Sequence, residues 1–243
     1  MKLIYLTAIL FSFINHLSAQ QAEPLFIINN TIVKKQNTKA FKKSEKLTGL
    51  IVPAALISYG FIALENDGLN RLDKNTNLEI REDHPVFITK LDNYLQYTPA
   101  LAVYGLNALG VKGKNNFSNR TMIYSLCTLI STGAVLPLKK ITKIQRPDES
   151  GFNSFPSGHT TTAFAAAEFL RMEYKDISPW YGIAGYAVAT TTGALRLYNN
   201  KHWLSDIVAG AGFGILSTKL AYWVYPVIKR KFFKAKHAYV FYL

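Results

Sequence analysis

Cysteine is nearly missing: Cys127 stands alone in 243 residues. A single thiol excludes an internal disulfide framework and any cysteine-clustered zinc site. It lies in an apolar run, so it reads as core. Acids are scarce too, 15 Asp and Glu against 28 Lys and Arg, for a formal charge of +13. That balance suits nucleic acid, an anionic membrane surface or an anionic substrate. Only 18% of residues are charged while 49% are hydrophobic, which excludes a disordered tail, a collagen and a charge-rich coiled coil. The sequence has no repeat, no low-complexity tract and no alternating strand pattern.

Long uncharged runs are what the chain does have. Residues 1–19 combine Lys2, an apolar stretch and the small-residue ending Leu17-Ser18-Ala19, the pattern of a secretory signal or an uncleaved anchor. Residues 47–64 and 121–138 each carry no charge for 18 residues, and 177–195 carries none for 19. Such lengths cross ~30 Å of hydrocarbon as helices. Residues 97–111 are apolar but short, 160–170 are apolar except Glu168, and 203–228 are interrupted only by Asp206 and Lys219. The expectation is an all-α, membrane-embedded helical bundle with about six hydrophobic helices. Its divisions are a signal or anchor at 1–19, membrane-associated helices and connections at 20–119, a core at 120–228 and a basic tail at 229–243.

Lys and Arg in the connections orient such helices. The basic connections are 34–46, 112–120 and the tail, and they alternate with the acid-richer 65–96, with 139–159 and with 196–202. This places 34–46, 112–120, 171–176 and the tail in the cytoplasm, with 139–159 and 196–202 together outside. Cleavage after residue 19 would instead start 20–46 outside, so either 1–19 stays attached or 47–64 does not cross. A nucleic-acid role for 34–46 is disfavoured, because Phe41 is its one aromatic and stacking platforms need more. No nucleic-acid partner is expected, and the oligomeric state is not readable.

Three polar clusters share the outward side. The first runs from Lys139 to Arg146-Pro147, with Lys140 and Lys143 read as interfacial snorkelling side chains. Arg grips phosphate oxygens bidentately and Lys acts as a point charge. The second is Phe155-Pro156-Ser157-Gly158-His159, ahead of a helical run. Free N–H groups at a helix start make an anion site, and Gly158 lets a ligand approach the backbone. Alone, this cluster reads better as a plain helix cap with an exposed histidine. The third holds Arg196, His202 and Asp206, the last two four apart and so on one helical face. A carboxylate there fixes the imidazole tautomer, although a surface ion pair would look the same. Together the clusters supply two histidines, an orienting carboxylate, three cations and a helix N-terminus, the requirements of metal-free phosphoryl transfer. Asp148 and Glu149 read as a solvated turn, and Glu168 as a bundle-facing carboxyl with its partner unnamed.

In this order, Lys-x6-Arg-Pro, Pro-Ser-Gly-His and Arg-x5-His-x3-Asp resemble the signature of the type 2 phosphatidic acid phosphatase / vanadium haloperoxidase superfamily, over roughly residues 120–228. The resemblance implies that His202 attacks phosphorus and forms a phosphohistidine, that Asp206 orients it, and that His159 protonates the leaving alkoxide and then activates water. It implies phosphate contacts from Lys139, Arg146, Ser157, Gly158 and Arg196, with no metal and no cofactor. Leu195 stands where the family usually has serine, so altered phosphate binding with retained activity is expected. The implied protein is a bacterial inner-membrane lipid phosphatase with its site facing the periplasm. Its substrate would be a lipid A phosphate, undecaprenyl diphosphate, phosphatidylglycerol phosphate or phosphatidic acid, delivered by the bilayer. A soluble periplasmic acid phosphatase of the same superfamily, a vanadium haloperoxidase and a non-catalytic membrane component are the rival readings. Membrane partition separates the first, and dispensable histidines would mark the last.

Overall fold

The computed structural model describes residues 48–233, so the expectations for 1–19, for 34–46 and for the end of the basic tail fall outside the described residues. Eight helices and no strand are present among the described residues: α1 Ile51–Glu65, α2 Asp67–Asp83, α3 Asp92–Leu95, α4 Thr98–Ala108, α5 Phe117–Thr142, α6 Gly158–Tyr174, α7 Pro179–Tyr198 and α8 Leu204–Phe233. A helix covers each of the six apolar segments. Two of them, Phe117–Thr142 and Leu204–Lys231, are long and apolar enough to cross a membrane. The eleven residues of α4 rise only about 16 Å, short of a bilayer core.

The stretch 65–96, expected to be a polar connection, contains the seventeen-residue helix α2. Asn66 caps it by accepting from the Leu69 amide at 3.0 Å. A polar stripe then fastens it to the start of α8 and the turn before it. Asp73 accepts from the Ser205 amide at 2.9 Å and from Ser205 Oγ at 2.5 Å. Asn77 Nδ2 donates to Asn200 Oδ1 at 2.6 Å, and Arg81 Nη2 to the Tyr198 carbonyl at 2.6 Å.

α6 is the central helix, packed on α4, α5, α7 and α8. Its inner face is small: Ala163, Ala165, Ala166 and Ala167 are all buried. Small residues let backbones approach closely, and α8 answers with glycines. A Cβ on Gly210 would lie 2.7 Å from the Ser157 carbonyl oxygen, and one on Gly214 would lie 2.4 Å from that of Thr161. This close approach sets the start of α8 against the start of α6, where the polar clusters lie. Toward the other end, Phe169 stacks on Tyr124 with ring centroids 4.8 Å apart, and Tyr174 is fully buried. Cys127 is buried as expected, its Sγ 3.1 Å from Thr218 Oγ1.

Glu168 now has partners. Arg171 holds it with two hydrogen bonds of 2.6 and 2.7 Å, Tyr186 donates at 2.6 Å, and Lys219 lies 2.9 Å away. In contrast, several helices expose large apolar side chains. Leu129 on α5 is 69% exposed, and Leu101, Leu136, Ile141 and Trp180 are exposed as well.

Candidate active site

The first cluster sits where α5 ends. Lys143 closes the helix in the left-handed region (φ 49°), and the chain turns back through residues 144–157. Lys139, one turn earlier, donates Nζ to the carbonyls of Asn153 at 2.6 Å and Ser154 at 3.0 Å. An ammonium has three donors, so one is left for a ligand. Arg146 is fixed in the loop: its Nε donates to Asn153 Oδ1 at 2.8 Å and its amide to the Gly151 carbonyl at 2.9 Å. Lys140 and Lys143 are exposed, in keeping with a surface role. Asp148 is half-buried and pairs with Lys201, so it fastens this loop to the third cluster rather than lying in a solvated turn. Burial pushes its carboxyl up, but hydrogen bonds from Lys201 and Ser150 hold it below the usual carboxylate range.

The second cluster opens α6. Ser157 is the N-cap, with its Oγ 3.4 Å from the Thr160 amide and accepting from Thr160 Oγ1 at 3.0 Å. Its own amide donates to the Asp206 carbonyl at 3.0 Å, joining the starts of α6 and α8. A Cβ on Gly158 would lie 4.0 Å from Lys139 Cε, so the lysine stem runs past the glycine. The positive end of α6 and the ammonium therefore face one spot.

The third cluster spans the end of α7 and the start of α8. His202 is 1% exposed. Its Nδ1 lies 3.3 Å from Asp206 Oδ2 and 3.3 Å from Ser154 Oγ. Asp206 Oδ2 also accepts from Ser154 Oγ at 2.5 Å and from the Trp203 amide at 2.9 Å. A carboxylate at Nδ1 selects the tautomer with its proton there, leaving Nε2 as the lone-pair nitrogen. Burial holds the His202 imidazole down to about 4, partly opposed by Asp206 and reinforced by Lys139 and Arg196. It is neutral at neutral pH, the state in which it can attack. Trp203 Nε1 donates to the Gln145 carbonyl at 2.8 Å, a second tie between the third cluster and the first.

Arg196 is buried in the last turn of α7, its Nη1 2.6 Å from Asp92 Oδ2. Its Nε is buried with no hydrogen-bond partner. His159 is half-buried, its Nε2 2.8 Å from Asn93 Oδ1. Burial lowers its imidazole to about 4. Arg196, Arg146 and Lys139 push the same way, and Asp92 opposes them. Arg146 is lowered in turn by burial and then by Arg196, with Asp148 and Asp206 opposing. Lys139, Arg146 and Arg196 thus lie within electrostatic reach of one another and of His159, an arrangement that suits a multiply charged anion.

Six of the eight residues singled out in the sequence, His202, Asp206, Ser157, Gly158, Lys139 and Arg146, share direct contacts or a common neighbour; Arg196 and His159 are tied to each other through Asp92 and Asn93 and meet the rest through charge. Ser154, Asp73, Asp92, Asn93 and Asn199 belong to the same assembly and were not foreseen. The one available signal was Asp73, Asn77 and Arg81, spaced by four along one helical face.

A buried histidine–carboxylate pair, a capped helix start and a cluster of cations on an all-helical bundle can hold an oxyanion beside a nucleophilic imidazole. Residues 120–230 match the PAP2 superfamily. A lipid A 1-phosphatase of Porphyromonas gingivalis is 40% identical over 145 residues, which covers 59% of this chain and 33% of that protein. A lipid A 1-phosphatase of Rhizobium johnstonii is 43% identical over 67 residues, 27% of this chain and 25% of that protein. The matches thus span a third or less of these curated relatives. Among solved structures, a transmembrane PAP2 type phosphatidylglycerolphosphate phosphatase from Bacillus subtilis aligns with a TM-score of 0.48 and 23% identity, covering 74% of this chain and 98% of that one.

Proposed function

We propose that this chain is a membrane lipid phosphatase working through a phosphohistidine, with lipid A phosphate as the leading substrate. His202 Nε2 attacks phosphorus, the N–P bond forms, and the P–O bond to the lipid breaks. His159 gives its proton to the departing oxygen. It then takes a proton from water as that water attacks phosphorus, which breaks the N–P bond and releases phosphate. Asp206 keeps His202 in the attacking tautomer. Lys139, Arg146, Arg196, Ser157 and the Gly158 amide stabilise charge on the equatorial oxygens.

The observation that carries this reading is the buried His202–Asp206 pair, its imidazole kept neutral by burial, within electrostatic reach of Lys139 and Arg196. An anionic substrate supplies what the mechanism still lacks. Its charge offsets Lys139, Arg146 and Arg196, so His159 can take up the proton it must donate. The exposed apolar side chains, the two membrane-length helices and the lipid A phosphatase relatives favour a membrane-held enzyme with a lipid substrate. The basic connections favour an inner-membrane location with the site facing the periplasm.

The test is phosphate release by the purified protein from lipid A, undecaprenyl diphosphate, phosphatidylglycerol phosphate and phosphatidic acid, in excess chelator. His202→Ala should abolish release while still inserting in membranes, and brief reaction of the native chain with radiolabelled substrate should trap an acid-labile phosphoenzyme. Full activity in His202→Ala would overturn the reading.

A further inference from the structure

The four-residue helix α3 lies in the 65–96 stretch, outside all three clusters and outside residues 120–230. Yet it supplies partners to two side chains of the site. Asp92 is 1% exposed and pairs with Arg196. Asn93, the next residue, presents Oδ1 to His159 Nε2 at 2.8 Å. The helix is pinned rather than draped. Asn199 exchanges two 2.9 Å hydrogen bonds with the Thr89 backbone and places Nδ2 3.3 Å from Asp92 Oδ1. Gln96, itself buried, donates Nε2 to the Asn93 carbonyl at 3.0 Å.

We propose that Asn93 is a positioning residue for His159: by accepting the Nε2 proton it fixes the ring and leaves Nδ1 as the nitrogen that serves the leaving group. This inference rests on the phosphatase reading above. The logic parallels Asp206 and His202 with the nitrogens exchanged. There a carboxylate holds Nδ1 and frees Nε2 for attack, whereas here an amide oxygen holds Nε2 and frees Nδ1 for proton transfer. The choice of a neutral acceptor has a physical consequence. A general acid must release its proton, and a carboxylate on the far nitrogen would hold that proton more tightly. His159 is faced by Asp92 from α3, Lys139 from α5, Arg146 from the 144–157 loop and Arg196 from α7. Asp92 is the one acid among them, and it is already paired with Arg196.

An alternative role for α3 is a plug that the substrate pushes out. It would require stripping Asp92 from a buried ion pair, and breaking such a pair is strongly unfavourable. Positioning needs no displacement, because the Asp92 contact uses Nη1 and leaves the buried Nε of Arg196 for an oxyanion.

The test compares kcat/KM for an alkyl phosphate monoester, whose leaving oxygen needs a proton, with that for 4-nitrophenyl phosphate, whose leaving group does not. The full-length chain in detergent is used. Asn93→Leu should lose about tenfold or more on the alkyl ester, the equivalent of one lost hydrogen bond, and less than about threefold on the nitrophenyl ester. Asn93→Asp, nearly isosteric, should regain most of the alkyl-ester rate and move the alkaline limb of its pH profile upward. Equal losses on both esters, a gain in either, or an unmoved limb in Asn93→Asp would overturn the inference. A native chain inactive on every phosphate ester would instead overturn the phosphatase reading itself.

Discussion

Asp206 Oδ2 faces Ser154 Oγ, the Trp203 amide and His202 Nδ1 at the same time. Asp206→Asn keeps the shape and the oxygen. The amide oxygen keeps the Oδ2 place, because Ser154 Oγ and the Trp203 amide both donate there, and the new NH2 group takes the place of Oδ1, which has no partner. His202 Nδ1 can still donate to that oxygen, but the oxygen is now neutral, and the charge that stabilises the imidazole as Nε2 attacks phosphorus is gone. Where a buried carboxylate supports a catalytic histidine in this way, its removal costs roughly 10⁴ in rate, about 5.5 kcal/mol of transition-state stabilisation. Stability should change much less, since the contacts to Ser154, Trp203 and His202 are kept. The assay is kcat for phosphate release, run beside a thermal melt in the same detergent. Activity within tenfold of native, from a variant melting within a few degrees of native, would refute the charge argument.

The two imidazoles also set a pH dependence. Both titrate near 4 in the folded chain against an ordinary 6.5, so the unfolded chain binds their protons first as pH falls. Stability should decline from about pH 6.5 to about pH 4 and level off below, and a ligand-free melting temperature that stays flat across that window would contradict the assignment. Gly210→Ala should disturb folding or activity severely, because its methyl would lie 2.7 Å from the Ser157 carbonyl and force α8 off α6; a variant with native melting and native activity would show that the contact gives way. Glu168→Ala strands Arg171 and Lys219 without their counter-charge and should cost about 3 kcal/mol, with activity per folded molecule unchanged. Denaturant titration alongside a specific-activity measurement separates those two effects.

The bundle was legible because its signal is local. An uncharged run of 18 residues has few structural options, and all six apolar segments became helices. The site was legible for a different reason: its residue types at their spacings make chemical sense together, even though no single cluster does. Ser157 illustrates the limit. Read as a phosphate contact, it also caps α6 and ties that cap to Asp206, a double use that no spacing rule shows. Ser154 was invisible because a serine three residues before a Ser-Gly-His run carries no periodic signal. Its importance comes from Asp206, 52 positions away.

The stretch 65–96 was misread for a deeper reason. Its mixture of acids, bases and amides looks like a solvated connection when hydropathy alone is counted. α2 is polar because the surface it covers is polar: the turn at 198–205 offers the Tyr198 carbonyl, the Asn200 side chain and the Ser205 amide and hydroxyl, and Arg81, Asn77 and Asp73 pair with them. α3 repeats the pattern at shorter range, with Asp92 and Asn93 serving Arg196 and His159. The three sequence motifs therefore contain the candidate reacting groups, while contacts to His159, Arg196 and Ser205 come from more than 60 residues upstream. It follows that grafting residues 120–230 alone should leave His159 and Arg196 loosely held, with losses concentrated on substrates that have poor leaving groups.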